Sequence, residues 1–111
     1  MAEPIKVRPD TKLKDYKGQD YVRALEQGED PTPLTFSRVV QFAMSQPIKG
    51  DDSVEYKTKW LWHKLAERCE KEECSFNSKE TTIILERVGK VFGAMIFGRV
   101  KELIDPEAEP E

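Results

Sequence analysis

Thr35-Phe36-Ser37-Arg38-Val39-Val40-Gln41-Phe42-Ala43-Met44 is the stretch on which the fold turns. Phe36, Val39, Val40, Ala43 and Met44 stand at i, i+3, i+4, i+7 and i+8, a spacing that collects apolar side chains on one face of a helix. Thr35 is a suitable N-cap, because its hydroxyl can accept one of the backbone N–H groups that a first helical turn leaves unpaired. Pro47 and Gly50 close the segment.

Two further helix starts lie downstream. In Asp52-Ser53-Val54-Glu55 the carboxylates have capping-box separation, and Val54, Thr58, Leu61, Leu65 and Cys69 then form a stripe widened by Trp62 and Ala66, predicting a helix to about Glu72. Asn77-Ser78-Lys79-Glu80 repeats the start signal ahead of Ile84, Val88, Val91, Phe92 and Met95. Beyond Gly93 the pattern continues through Phe97, Val100, Leu103 and Ile104, as one long helix or as two, with Gly93 in the left-handed conformation at the break if there are two. Packing these stripes together places Leu61, Leu65, Val88, Phe92 and Val100 in one core.

Outside the helices the chain reads differently. Residues 1–33 have few closely spaced apolar side chains and read as an extended arm with a turn at Asp15-Tyr16-Lys17-Gly18; Tyr21, Val22 and Leu25 also have the spacing of a short helical face. Glu29-Asp30-Pro31-Thr32-Pro33 reads as a stiff linker. The tail at residues 105–111 is acidic and proline-rich, and is expected to be disordered. The fold class is therefore mainly α: a three- to four-helix domain over residues 34–104, an N-terminal arm, and an acidic tail.

Composition bounds the function. A chain of 111 residues with 38% hydrophobic and 35% charged residues is a globular, highly polar protein. With no long apolar run and no apolar leader, it is expected in the cytoplasm and away from membranes. Cys69 and Cys74 are expected as reduced thiols in that compartment. The single histidine, His63, has no nucleophile at a helical spacing that would bring the two together, and three soft ligands do not make a zinc site. Gly89, Gly93 and Gly98 fit no phosphate-binding pattern. The expectation is a protein without catalytic residues, cofactor or metal.

Two surfaces remain. Met95, Ile96 and Phe97 are consecutive large apolar residues that point in widely separated directions on a helix, so part of this segment needs cover. A protein partner or a second copy in a symmetric dimer provides it on one reading; the arm, through Tyr16, Tyr21 and Leu25, provides it on the other. Lys57, Lys59, Trp60, Lys64 and Arg68 form the second surface, where an indole can stack on an unpaired base while cations meet phosphates. A net charge of -3 argues against polyanion binding by the molecule as a whole and leaves a local face open.

Read from Leu13 onward, the chain carries Leu13-Lys14-Asp15 with Gly18, Pro33-Leu34-Thr35 at a helix start, and a charged helix over residues 59–67. Phe76-Asn77-Ser78-Lys79-Glu80, Val88-Gly89-Lys90 and Gly98-Arg99-Val100 before Leu103 follow. In this order of features it resembles small uncharacterised proteins of tailed bacteriophages and prophages, from which residues 20–30 depart by a longer arm. The resemblance implies a phage or prophage accessory protein. Together with the absence of catalytic motifs, it sets protein–protein interaction, as an assembly factor, chaperone or host-factor modulator, as the leading expectation. Nucleic-acid binding is the alternative.

Overall fold

A computed structural model describes residues 5–48 and 53–104. Gly50 and Asp52, assigned above as helix signals, and the tail at 105–111 lie outside the described residues. The elements run β1 (Ile5–Val7), β2 (Val22–Arg23), β3 (Thr32–Pro33), α1 (Phe36–Ser45), α2 (Tyr56–Arg68), β4 (Cys74–Phe76), α3 (Ser78–Val91) and α4 (Ala94–Ile104). Four helices thus form a compact globule with a small β part made of two antiparallel ladders, β1 with β4 and β2 with β3.

Helix α1 is the centre of the packing, touching both α2 and α3, while α3 packs on α4 and α4 reaches β1. All five of its stripe residues are buried, and its first turn is capped by Thr35 Oγ1, which accepts from the Arg38 N–H at 3.3 Å. The arm completes the capping. Thr11 and Pro9 carbonyls accept from Phe36 N–H and Ser37 N–H, each at 2.9 Å, so donors that a helix N-terminus leaves unpaired are satisfied by chain from another part of the sequence. Leu13 and Leu34 close over the same core, with Leu13 N–H donating to Leu34 O and Leu34 N–H to Tyr21 O.

The described part of residues 1–33 is therefore docked, and it carries three short strands joined by turns. The expected turn at Asp15 is present: the Asp15 carboxylate accepts from Lys17 N–H and Gln19 N–H, and Gly18 takes φ +83. The expected linker before α1 is instead part of a ladder, Thr32–Pro33 against Val22–Arg23, and Glu29 pairs with Arg38 while accepting from Leu25 N–H and Glu26 N–H.

Two helix boundaries differ from expectation. Helix α2 begins at Tyr56 because Glu55 is extended; Glu55 is the N-cap residue and makes no side-chain cap hydrogen bond, while Asp52 of the expected box lies outside the described residues. It ends at Arg68, where tight turns through Cys69, Glu70 and Lys71 wind the chain out so that Cys74–Phe76 can pair with Ile5–Val7. The capping box of α3 forms in full between Asn77 and Glu80. The break before α4 arises from an extended Phe92 (φ -117, ψ 161); Gly93 does not adopt the left-handed conformation, and its carbonyl accepts from Phe97 N–H in the first turn of α4. Gly89 does the work of close approach: a Cβ there would stand 3.4 Å from the Phe97 ring.

Leu65, Val88, Phe92 and Val100 are buried in one cluster, with Leu61 packed at its edge. No helix of the described residues is long and apolar enough to cross a membrane.

Candidate functional site

The first nine residues of α2 carry three lysines, two tryptophans, a tyrosine and a histidine, and no carboxylate. The helix is held from its inner side by Leu65, buried, with Leu61, Trp62 and Ala66 half-buried. At its C-terminal end Gln41 donates to Ala66 O at 3.2 Å, and Arg68 donates to Ser75 O at 3.0 Å. The opposite face is left to solvent. Tyr56 is 89% and Trp60 62% exposed, and one helical turn separates them.

Two neighbours stand around the Trp60 ring. His63 lies with its ring centroid 5.5 Å away, and Lys64 Nζ stands 4.8 Å from the indole centroid, a cation–π contact. Glu67 meets His63 at 3.5 Å and Lys64 at 3.4 Å, so this carboxylate restrains both groups from the helix end. Lys57 and Lys59 are exposed on either flank of the arc. Lys59 and His63 also form the rim of a hollow of about 320 Å³ lined by Met44, Gln46, Pro47 and Trp62. Chemically, the face presents flat aromatic rings and ammonium groups, which suit stacking and phosphate contact.

Of the five cations and aromatics assigned to this face, four share it: Lys57, Lys59, Trp60 and Lys64. Arg68 is diverted. Its guanidinium pairs with Glu80 at 2.9 Å and lies 5.5 Å from the Phe76 ring centroid, which ties the end of α2 to the start of α3. Burial acts to raise the Glu80 carboxyl, but the hydrogen bonds from Arg68 and from the Asn77 N–H outweigh it and hold the group below its ordinary value. Arg87 and Arg99 are also structural. Arg87 is buried and donates to Ala43 O and Gln46 O, while Arg99 donates to Lys14 O and Asp15 O and fastens the arm to α4.

Met95, Ile96 and Phe97 fall at the start of α4. Ile96 is 3% exposed and belongs to the core, whereas Met95 and Phe97 are half-buried. Tyr21 and Leu25 pack against the same core, and Tyr16 remains exposed beside Arg99. His63 and the two cysteines are not brought together: His63 is exposed on α2, and both thiols are buried. Among the described residues no three His, Cys, Asp or Glu side chains are grouped to hold a metal ion.

Sequence reasoning passed over Tyr56, although its i, i+4 relation to Trp60 was readable. Compared with known proteins, the chain matches no family model, no curated protein and no solved structure.

Proposed function

We propose that this chain is a non-enzymatic binding protein whose working surface is the outer face of α2, and that this surface takes single-stranded nucleic acid. The observation that carries the reading is the exposed Tyr56 and Trp60 pair among Lys57, Lys59 and Lys64, on a stretch free of carboxylates. Four residues of helix advance about 6 Å, so neighbouring bases of one strand can meet both rings. Unpaired bases offer their faces to such rings, whereas in a duplex those faces are already stacked. A protein partner, the leading expectation from sequence, draws less support, since its motivating segment keeps Ile96 in the core of the single chain.

The charge argument sets the strength. With a net charge of -3, attraction is confined to the lysine arc and is short-ranged at ordinary salt. If Lys57, Lys59 and Lys64 each meet a phosphate, the logarithm of affinity falls against the logarithm of salt with a slope of about -2. From 50 to 200 mM salt that is roughly a twentyfold loss. Titration of an oligothymidylate, read by quenching of tryptophan fluorescence across that range, tests it; no quenching at the lowest salt removes the proposal.

A further inference from the structure

We propose that the hollow between the end of α1 and the flank of α2 is a nucleotide subsite, which takes one unstacked base and keeps its phosphate at the mouth. The inference rests on the reading of the α2 face for the strand that brings the nucleotide in. The hollow measures about 320 Å³, near the small end of ligand pockets, which suits a heterocycle of one or two rings.

Its apolar walls are Met44, which is buried, Pro47, and the half-buried Trp62. The Arg87 guanidinium lines the same hollow and lies 4.1 Å from the Trp62 ring centroid, so indole and cation are held together at this wall. Bases stack on indole rings and on guanidinium planes whatever their identity, and the flexible thioether of Met44 adapts to a ring edge. Polar groups are few. Ser45 and Gln46 are exposed where they border the hollow. The main chain of Gln46 is fixed, since its N–H donates to Phe42 O at 2.9 Å and its carbonyl accepts from Arg87 Nη2 at 2.8 Å. That anchorage presents the side-chain amide, one acceptor beside one donor, to the neighbouring donor and acceptor on the edge of a base.

Lys59 and His63 place the charge. A helix turns about 100° per residue, which sets both on the flank of α2 between Trp60 and Trp62. The same two side chains therefore border the outer face and the hollow. Glu67 meets His63 at 3.5 Å, and among the described residues that line the hollow none is a carboxylate. A strand stacked on Trp60 has only this flank to cross before its next base turns inward, and Lys59 meets the phosphate on the way.

The test is nuclear magnetic resonance of the isotope-labelled full chain titrated with adenosine monophosphate or uridine monophosphate, against ribose 5-phosphate and inorganic phosphate. Both nucleotides should shift the Gln46 side-chain amide, the Trp62 indole N–H and the Lys59 backbone amide, and the two controls should not. Ser45→Trp, at an exposed position that borders the hollow, should fill it and abolish these shifts. Gln46→Ala, which spares the backbone contacts to Arg87 and Phe42, should weaken nucleotide binding about two- to tenfold. In the strand, Ser45→Trp should lower affinity for an oligothymidylate roughly fivefold or more while Trp60 still contributes. No shifts with nucleotides, equal shifts with ribose 5-phosphate or phosphate, or an unaltered response in Ser45→Trp would overturn the subsite. Nucleotide shifts at Gln46 and Trp62 without strand binding would retain the hollow as a site for the free nucleotide and remove the α2 face instead.

Discussion

Replacing Arg87 with methionine tests whether a buried cation holds α1 to α3. The guanidinium is 3% exposed and donates from Nε to Ala43 O at 3.2 Å and from Nη2 to Gln46 O at 2.8 Å, both at the C-terminal end of α1. It also lies 4.1 Å from the centroid of the Trp62 ring, so one side chain joins three helices. Methionine retains much of the hydrocarbon stem and removes the charge. Hydrogen bonds made by charged groups contribute about 1.5–3 kcal/mol each, and a desolvated cation–π contact up to about 2 kcal/mol. Against that, the variant no longer has to desolvate a cation, which returns several kcal/mol. The Ala43 carbonyl, on a fully buried residue, is left without this donor, while the carbonyl of exposed Gln46 can turn to water. The net loss expected is about 2–4 kcal/mol, a large part of the stability of a small domain. Urea unfolding followed by circular dichroism measures it, and Arg87→Lys should fall between, because an ammonium cannot serve two carbonyls and a ring together. An unchanged midpoint for Arg87→Met, with unchanged slope, would refute the bridging role.

Further outcomes follow from the same packing. Phe92→Ala removes a 7% exposed ring that lies 5.8 Å from Phe42, and should cost about 3–5 kcal/mol in the same denaturation measurement. Ile96→Glu places a carboxylate at a 3% exposed position, so a loss of roughly 3–5 kcal/mol is expected even in dilute solution; a variant of undiminished stability would remove Ile96 from the core. Because the folded-state Glu80 carboxyl is held below its ordinary 4.5, its contribution is present above that pH and is lost as pH falls through the lowered value. Glu80→Gln should therefore flatten the acid side of the stability profile below about pH 4.5 and leave its neutral-side shape unchanged.

The starts of α1 and α3 were legible from local signals. Thr35 and the stripe behind it located α1, and Asn77 with Glu80 located the start of α3, because caps and apolar spacing act within a few residues. The ladder of Ile5–Val7 with Cys74–Phe76 was not legible, since three-residue strands show too little alternation and the partners lie far apart in sequence. Docking of the arm depends on backbone carbonyls of Pro9 and Thr11, which carry no side-chain signature. Arg87 did leave a trace. It stands between Ile84 and Val88 on the buried stripe of α3, a place where a cation must find acceptors. The lysines and Trp60 of α2 were readable as one face from helical spacing alone, whereas the withdrawal of Arg68 toward Glu80 required the tertiary fold.

The most direct test of the α2 surface is the affinity of a fluorescein-labelled single-stranded oligonucleotide, measured by anisotropy at 50 mM salt for the wild-type chain, Trp60→Ala and the double variant Lys59→Glu, Lys64→Glu. Trp60 is 62% exposed and Lys59 is exposed, so these changes should leave the fold intact, as circular dichroism would verify. Loss of one stacking ring should weaken binding by about 1–3 kcal/mol, roughly five- to 150-fold, and the double charge reversal should abolish it; a duplex of the same sequence should bind more weakly than the single strand. Binding that is absent at 50 mM salt, or present and indifferent to all three substitutions, would contradict the account.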